Sequence, residues 1–222
     1  MAVRVIPAGE LIGLVKPGQS LYIAGGLLPP AAFVEALQVD PARSAGLRMT
    51  STIAPGFPNP FDFERLHPTA VLAGPLMHPA FTAAQRRGQF HSLAVTFAGF
   101  LRHLATQEFD LGVVQVAPPD ANGRYSLGQS VEFWPAAMPR CRRVLAIVNP
   151  LLRSLPYSVS LDPACIDAVC EIATSVPRYV QESDANTETI GRLVAGLVED
   201  GSTLQTGLGK VPSAVARSLC GH

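Results

Sequence analysis

Apolar runs of strand length alternate with segments of helical period along most of this chain, and that alternation leaves few folds open. Leu111-Gly-Val-Val-Gln-Val116 and Val144-Leu-Ala-Ile-Val148 read as strands of the fully buried kind. Before the first of them, Phe97, Phe100, Leu101, Leu104 and Ala105 mark one face of a helix over 97–107 that would cover the sheet. Strands separated by helices assemble into an open parallel-type sheet with helices on both faces, an α/β fold.

The remaining elements fit that pattern. A helix around Gly9 to Val15 meets a Lys16-Pro17-Gly18 turn. A strand over Leu21–Ala24 follows, then Gly25-Gly26, then a helix entered through Pro29-Pro30 and running to about Leu37. Leu47–Thr52 reads as a strand, and the proline-broken stretch 54–60 as a loop, because proline removes amide donors and restricts its predecessor. An apolar stretch at Ile166–Ile172 closes a first domain assigned to residues 1–185, with a linker near 177–186. Asn186 or Thr187 caps the next helix, which reaches about Glu199 and opens a second domain over 186–222.

Composition excludes several functions. Lys+Arg and Asp+Glu both number 17, with no basic stripe, so nucleic acid is not an expected partner. The start, Met1 to Pro7, lacks the apolar stretch of a secretory signal, and no segment is long enough to span a membrane; the expected location is cytoplasmic. Cys141, Cys165, Cys170 and Cys220 show no metal-ligand spacing and read as buried free thiols. His67, His78, His91 and His103 lack paired helical spacing, so no metal site is expected.

Sliding the chain against itself by 183 positions aligns Gly13-Leu14-Val15, Gly18 and Leu21 with Gly196-Leu197-Val198, Gly201 and Leu204; Gly26, Pro29 and Ala31 then fall on Gly209, Pro212 and Ala214. Both copies spell helix end, glycine turn, strand, glycine loop and a helix started by proline. A second α/β domain is therefore expected to begin near residue 187, represented by its first helix-strand-helix, with an unfinished sheet that leaves apolar surface around Val211, Val215 and Leu219.

Two segments carry candidate chemistry. Gly207-Leu208-Gly209-Lys210-Val211 follows a strand expected at Leu204–Thr206 and opens a helix, so its amides suit a phosphate or a developing oxyanion, with Lys210 adding a charge. A purely structural strand-to-helix turn explains the same spacing. Residues 115–128 leave a sheet strand at its carboxyl end, where open α/β sheets bind ligands. Here Asp120 and Asn122-Gly123 suit a tight turn that brings Ser126 back. Asp120 reads as a turn former rather than an acid, and no Gly-x-Ser-x-Gly surrounds Ser126. Glu132, Glu171, Glu182, Glu188 and Glu199 read as solvated charges.

Pro118-Pro119-Asp120-Ala-Asn-Gly123-Arg-Tyr-Ser126-Leu-Gly128 resembles the Pro-Pro-Asp-x-x-Gly-x-x-Ser-x-Gly motif of the acetyl-CoA hydrolase/transferase family, which includes 4-hydroxybutyrate CoA-transferase. Asp200-Gly-Ser-Thr-Leu-Gln-Thr-Gly-Leu-Gly-Lys-Val-Pro-Ser-Ala-Val215 similarly resembles its Asp-Gly-x-x-Leu-Gln-x-Gly-x-Gly-x-x-Pro-x-Ala-Val segment. The resemblance spans essentially the whole chain and about the first half of a family member. It implies two similar α/β domains with the site between them, coenzyme A contacted by Gly207, Leu208, Gly209, Lys210 and Val211, and CoA moved from an acyl-CoA to a short carboxylate through a glutamyl-CoA thioester. The family's glutamate lies in a Gly-x-His-Ser/Thr-Glu type of segment after a helix that here ends near Leu219, and none stands before His222. The resemblance thus implies an inactive fragment of a transferase, alternatively of an acyl-CoA hydrolase, or a noncatalytic CoA-binding subunit whose second lobe comes from elsewhere, including a homo-oligomer.

Overall fold

The computed structural model describes residues 3–221; Met1 and Ala2 at the start and His222 at the end, which entered the sequence reading, lie outside the described residues. The chain divides into two compact units, Met1–Pro177 and Arg178–His222. In the first, β1 (Arg4–Val5) precedes a 3-10 helix (Ala8–Leu14), β2 (Ser20–Ile23) and α1 (Ala31–Val39). Next come β3 (Arg48–Thr50), β4 (Val71–Gly74), α2 (Thr82–Arg86), β5 (Phe90–Ser92) and α3 (Phe97–Thr106). The unit closes with β6 (Leu111–Val116), β7 (Tyr125–Ser126), α4 (Trp134–Ala137), β8 (Val144–Val148), β9 (Ser160–Leu161) and β10 (Ala168–Glu171).

Eight of these strands form one sheet in the order β1-β10-β8-β6-β2-β3-β4-β5, every pairing parallel. The α/β reading is therefore right. β7 and β9 form a separate antiparallel pair. All residues of β6 and β8 are buried, and side chains alternate between two cores as strand geometry requires. Leu111, Val113, Leu145 and Ile147 enter one core with Phe33 and Leu37 of α1. Val114, Val116, Ala146 and Val148 enter the other with Phe100 and Leu104 of α3 and Trp134 of α4. Burying a side chain of that size contributes roughly 1.5–3 kcal/mol, so the two central strands anchor the unit.

The chain builds β2 to β5 outward in one direction, then crosses back to set β6 on the other side of β2. Between β2 and β6 the strand order reverses, and the crevice outside their carboxyl ends is where such sheets take ligands.

Several expectations need correction. The first helix is a 3-10 helix, and α3 buries only Phe100 and Leu104 of its expected face, leaving Phe97 57% and Leu101 42% exposed. Of the cysteines only Cys170 is buried; Cys141 is half-buried, and Cys165 and Cys220 are exposed.

The second unit is a helical hairpin, α5 (Ala185–Ala195) and α6 (Lys210–Ser218), packed with Gly191 against Ala214. Asp184, upstream of the expected cap, accepts from the Thr187 amide at 2.8 Å, and α5 stops well short of Glu199. No strand forms at Leu204–Thr206; those residues are exposed and irregular, because a strand without a neighbour leaves its amides unpaired. The repeat persists in its turns, with Gly18 and Gly201 at φ +80° and +78°. The exposed apolar surface meets expectation at Val211 but not at Val215. Val215 is buried, whereas Ile190, Leu193, Val194 and Leu197 on and beyond α5 are open. No described helix is long and apolar enough to cross a membrane.

Candidate functional site

At the carboxyl end of β2 the chain enters Gly25-Gly26, and this pair is glycine for steric reasons. A Cβ on Gly25 would collide with the Thr52 carbonyl, which already accepts from the Gly26 amide at 2.7 Å. Gly26 has φ +62°, and a Cβ there would land on Glu132 Oε1. The two glycines let the strand end, the segment after β3 and the Glu132 carboxyl converge on one point.

Beside this loop, beyond the end of β6, lies a cavity of about 130 Å³ lined by Leu27, Leu28, Pro58, Gln115 and Thr174 among others. Its polar wall is one connected network. Asn149, fully buried, donates Nδ2 to the Thr174 carbonyl at 2.8 Å and lies 2.9 Å from Thr174 Oγ1. Its Oδ1 accepts from the Leu151 and Thr174 amides. Thr174 Oγ1 in turn donates to Gln115 Oε1 at 3.1 Å. Strand ends of β6 and β8 thereby hold the 172–176 segment in place.

The Pro118-Pro119 segment behaves as its turn residues dictate. Asp120 Oδ1 accepts from the Asn122 and Arg124 amides at 2.9 Å, Gly123 takes φ +75°, and Ser126 comes back so that its carbonyl receives the Ala117 amide. Ser126 Oγ accepts from the Gly128 amide inside the fold. Both residues serve the backbone.

Glu132 is exposed, as a surface charge should be, but its carboxyl has a feature the sequence does not announce. The carboxyl end is tucked against Gly26, and that burial pushes its pKa up to about 7. Tyr22, fully buried in β2, is raised above the usual phenol range, first by burial, then by the charges of Glu132 and Cys141. The Tyr22 and Thr52 hydroxyls lie near each other without meeting hydrogen-bond geometry, and both, like the Trp134 indole nitrogen, are buried without a partner among the described residues. No spacing in the sequence announces Glu132; only the left-handed turn that directs it inward does, and that is a property of the fold.

Gly207, Leu208, Gly209, Lys210 and Val211 lie together in the second unit, at the entry to α6. Gly209, at φ +129°, precedes the helix with no side-chain cap, so the first amides of α6 are unclaimed by a capping oxygen. The loop is solvent-facing: Leu208 is 67% and Val211 38% exposed. The Thr187 amide and hydroxyl, and after them the charge of Lys210, favour the anionic form of Asp184. Among the described residues, no cluster of His, Cys, Asp and Glu has the arrangement of a metal site.

No family model matches the chain. Over 96% of its length it is 29% identical to the succinyl-CoA:acetate/propanoyl-CoA:succinate CoA transferase of Fasciola hepatica, and the match covers 45% of that protein. The chain is thus similar along nearly its whole length to a CoA transferase. A 4-hydroxybutyrate CoA-transferase of Porphyromonas gingivalis superposes with TM-score 0.66 at 24% identity, over 99% of this chain and 52% of that one. RipA from Yersinia pestis superposes with TM-score 0.80 at 20% identity, over 97% and 53%. The chain thus spans about half the length of the relatives it matches, their amino-terminal portion. These matches agree with the two motifs at 118–128 and 200–215, one in each compact unit.

Proposed function

We propose that this chain is the amino-terminal part of an acyl-CoA:carboxylate CoA-transferase. The observation that carries the reading is the similarity to a named CoA transferase along nearly the whole chain. Physical support comes from the solvent-facing amides at the start of α6, which suit an anionic group of coenzyme A, and from the cavity at the reversal of strand order.

In this reading Gly207, Leu208, Gly209, Lys210 and Val211 contact coenzyme A, with Lys210 drawing the anionic ligand in. The residues 1–185 and 186–222 belong to successive domains. The attacking glutamate belongs to polypeptide beyond this chain, and a second lobe, from the same polypeptide or from a separate partner chain, completes the site in the cytoplasm. The substrates are an acyl-CoA and a short-chain carboxylate such as acetate, with no metal required.

The test is incubation of the protein expressed from its complete reading frame with succinyl-CoA and acetate, followed by separation of CoA esters. Acetyl-CoA formed in step with succinyl-CoA loss supports transfer. Free CoA with no acetyl-CoA replaces transfer with hydrolysis. Neither product, together with CoA binding, leaves a noncatalytic binding protein. For the 222-residue chain alone the expected result is CoA binding without turnover.

A further inference from the structure

The cavity beyond the ends of β2 and β6 has walls that sort ligands by charge and size. Leu27, Leu28, Pro29, Ala31 and Pro58 make its apolar side, and among the described residues no charged side chain lines it. Leu28 packs from behind against Ala117 and Leu152, so that side is fixed in place. The polar side has a direction. Asn149 must turn Nδ2 towards the Thr174 carbonyl, because its Oδ1 is claimed by two backbone amides. The same Nδ2 donates to Thr174 Oγ1, whose one proton then goes to Gln115 Oε1. That order leaves Nε2 as the free end of the Gln115 amide. Gln115 lines the cavity and is only 5% exposed, and its Nε2 has no hydrogen-bond partner among the described residues. A buried N–H without an acceptor is costly, and a ligand oxygen is one way to meet it.

Building on the transferase reading, we propose that this cavity holds the hydrocarbon tail of the substrate's acyl group, a short tail without a second charge, while the Gln115 amide donates to an oxygen of its carbonyl or carboxylate. Volume sets the length. The cavity measures about 130 Å³, and an apolar cavity of about 150 Å³ takes a six-carbon ring, so a chain of about five carbons fills this one. Composition sets the charge. A second carboxylate, as in a succinyl group, would leave water with no cation on these walls to pair it. An alkyl tail meets no such cost, and each methylene that enters an apolar pocket is worth roughly 10-fold or more in kcat/KM. Preference therefore rises with chain length until the space is full, and a dicarboxylic acyl group is used less well than a monocarboxylic one of equal length.

The experiment gives the protein expressed from its complete reading frame acetyl-, butyryl-, octanoyl- and succinyl-CoA in turn, with carbon-labelled acetate, and reads kcat/KM from label entering acetyl-CoA. Butyryl-CoA is expected to exceed both acetyl- and succinyl-CoA by about 10-fold or more, with octanoyl-CoA below it. Succinyl-CoA used as well as butyryl-CoA, or octanoyl-CoA preferred to it, overturns the assignment. Two variants tie the preference to this cavity. Leu27→Ala adds room and should move the best chain beyond four carbons; Ala31→Leu, at an exposed position of the lining, removes room and should move it towards two. An order of chain lengths unchanged in both overturns the site. Gln115→Glu keeps the acceptor that Thr174 needs and loses the donor, so kcat/KM should fall about 10-fold or more for every chain length with the order kept; no fall removes Gln115 from the proposal. A second readout needs no turnover: in saturation-transfer NMR the butyrate methyl should take up more signal than succinate, and less in Ala31→Leu than in the unsubstituted protein. Equal uptake from the two acids overturns the selectivity. Selective butyrate uptake with no turnover of any ester refutes the transferase reading alone.

Discussion

Four residues carry most of what is special in the first unit, and each has a measurable signature. Glu132 ionises near pH 7 when folded and near 4.5 when its carboxyl is free. Between those values the folded chain holds a proton the unfolded chain has released, so stability declines as pH rises from about 4.5 through about 7. Glu132→Gln should flatten that part of the profile in urea titrations at a series of pH values. Gly26→Ala meets both a left-handed φ and the Glu132 carboxyl, whereas Gly18→Ala meets only the φ, since nothing lies within 4 Å of its added Cβ. Gly18→Ala should cost about 1–2 kcal/mol, and Gly26→Ala measurably more in the same experiment. Asn149→Ala strips partners from the Thr174 carbonyl and hydroxyl; the expected loss is roughly 2 kcal/mol, with faster amide exchange over 172–176.

At the scale of elements, legibility followed burial and covalent constraint. β6 and β8 were readable to the residue, because a strand buried on both faces is written in apolar letters. The Asp120 turn was readable because Asp, Asn and Gly have local hydrogen-bonding and φ preferences that act without tertiary help. The short strands β1, β4 and β5 went unassigned, since two to four residues hold too little pattern and form by pairing with neighbours. Leu204–Thr206 shows the converse, a strand-like pattern with no strand beside it. The cap of α5 was misplaced to Asn186 or Thr187 because several capping side chains stand in succession; geometry selects Asp184, which receives both the amide and the hydroxyl of Thr187. Asp184→Ala should destabilise α5 by about 1 kcal/mol, seen as loss of protection at the Thr187 amide.

For the whole molecule, the parallel sheet and the two motif segments were readable from the chain, whereas the Gly25-Gly26-Glu132 convergence was not, because residues far apart in sequence meet there only after β2, β3 and α4 are packed. The most direct measurement is isotope exchange: the protein from the complete reading frame is mixed with acetyl-CoA and carbon-labelled acetate at chemical equilibrium. Transfer predicts label entering the CoA ester at constant total acetyl-CoA. Acetyl-CoA that remains unlabelled, whether intact or consumed to free CoA, contradicts it.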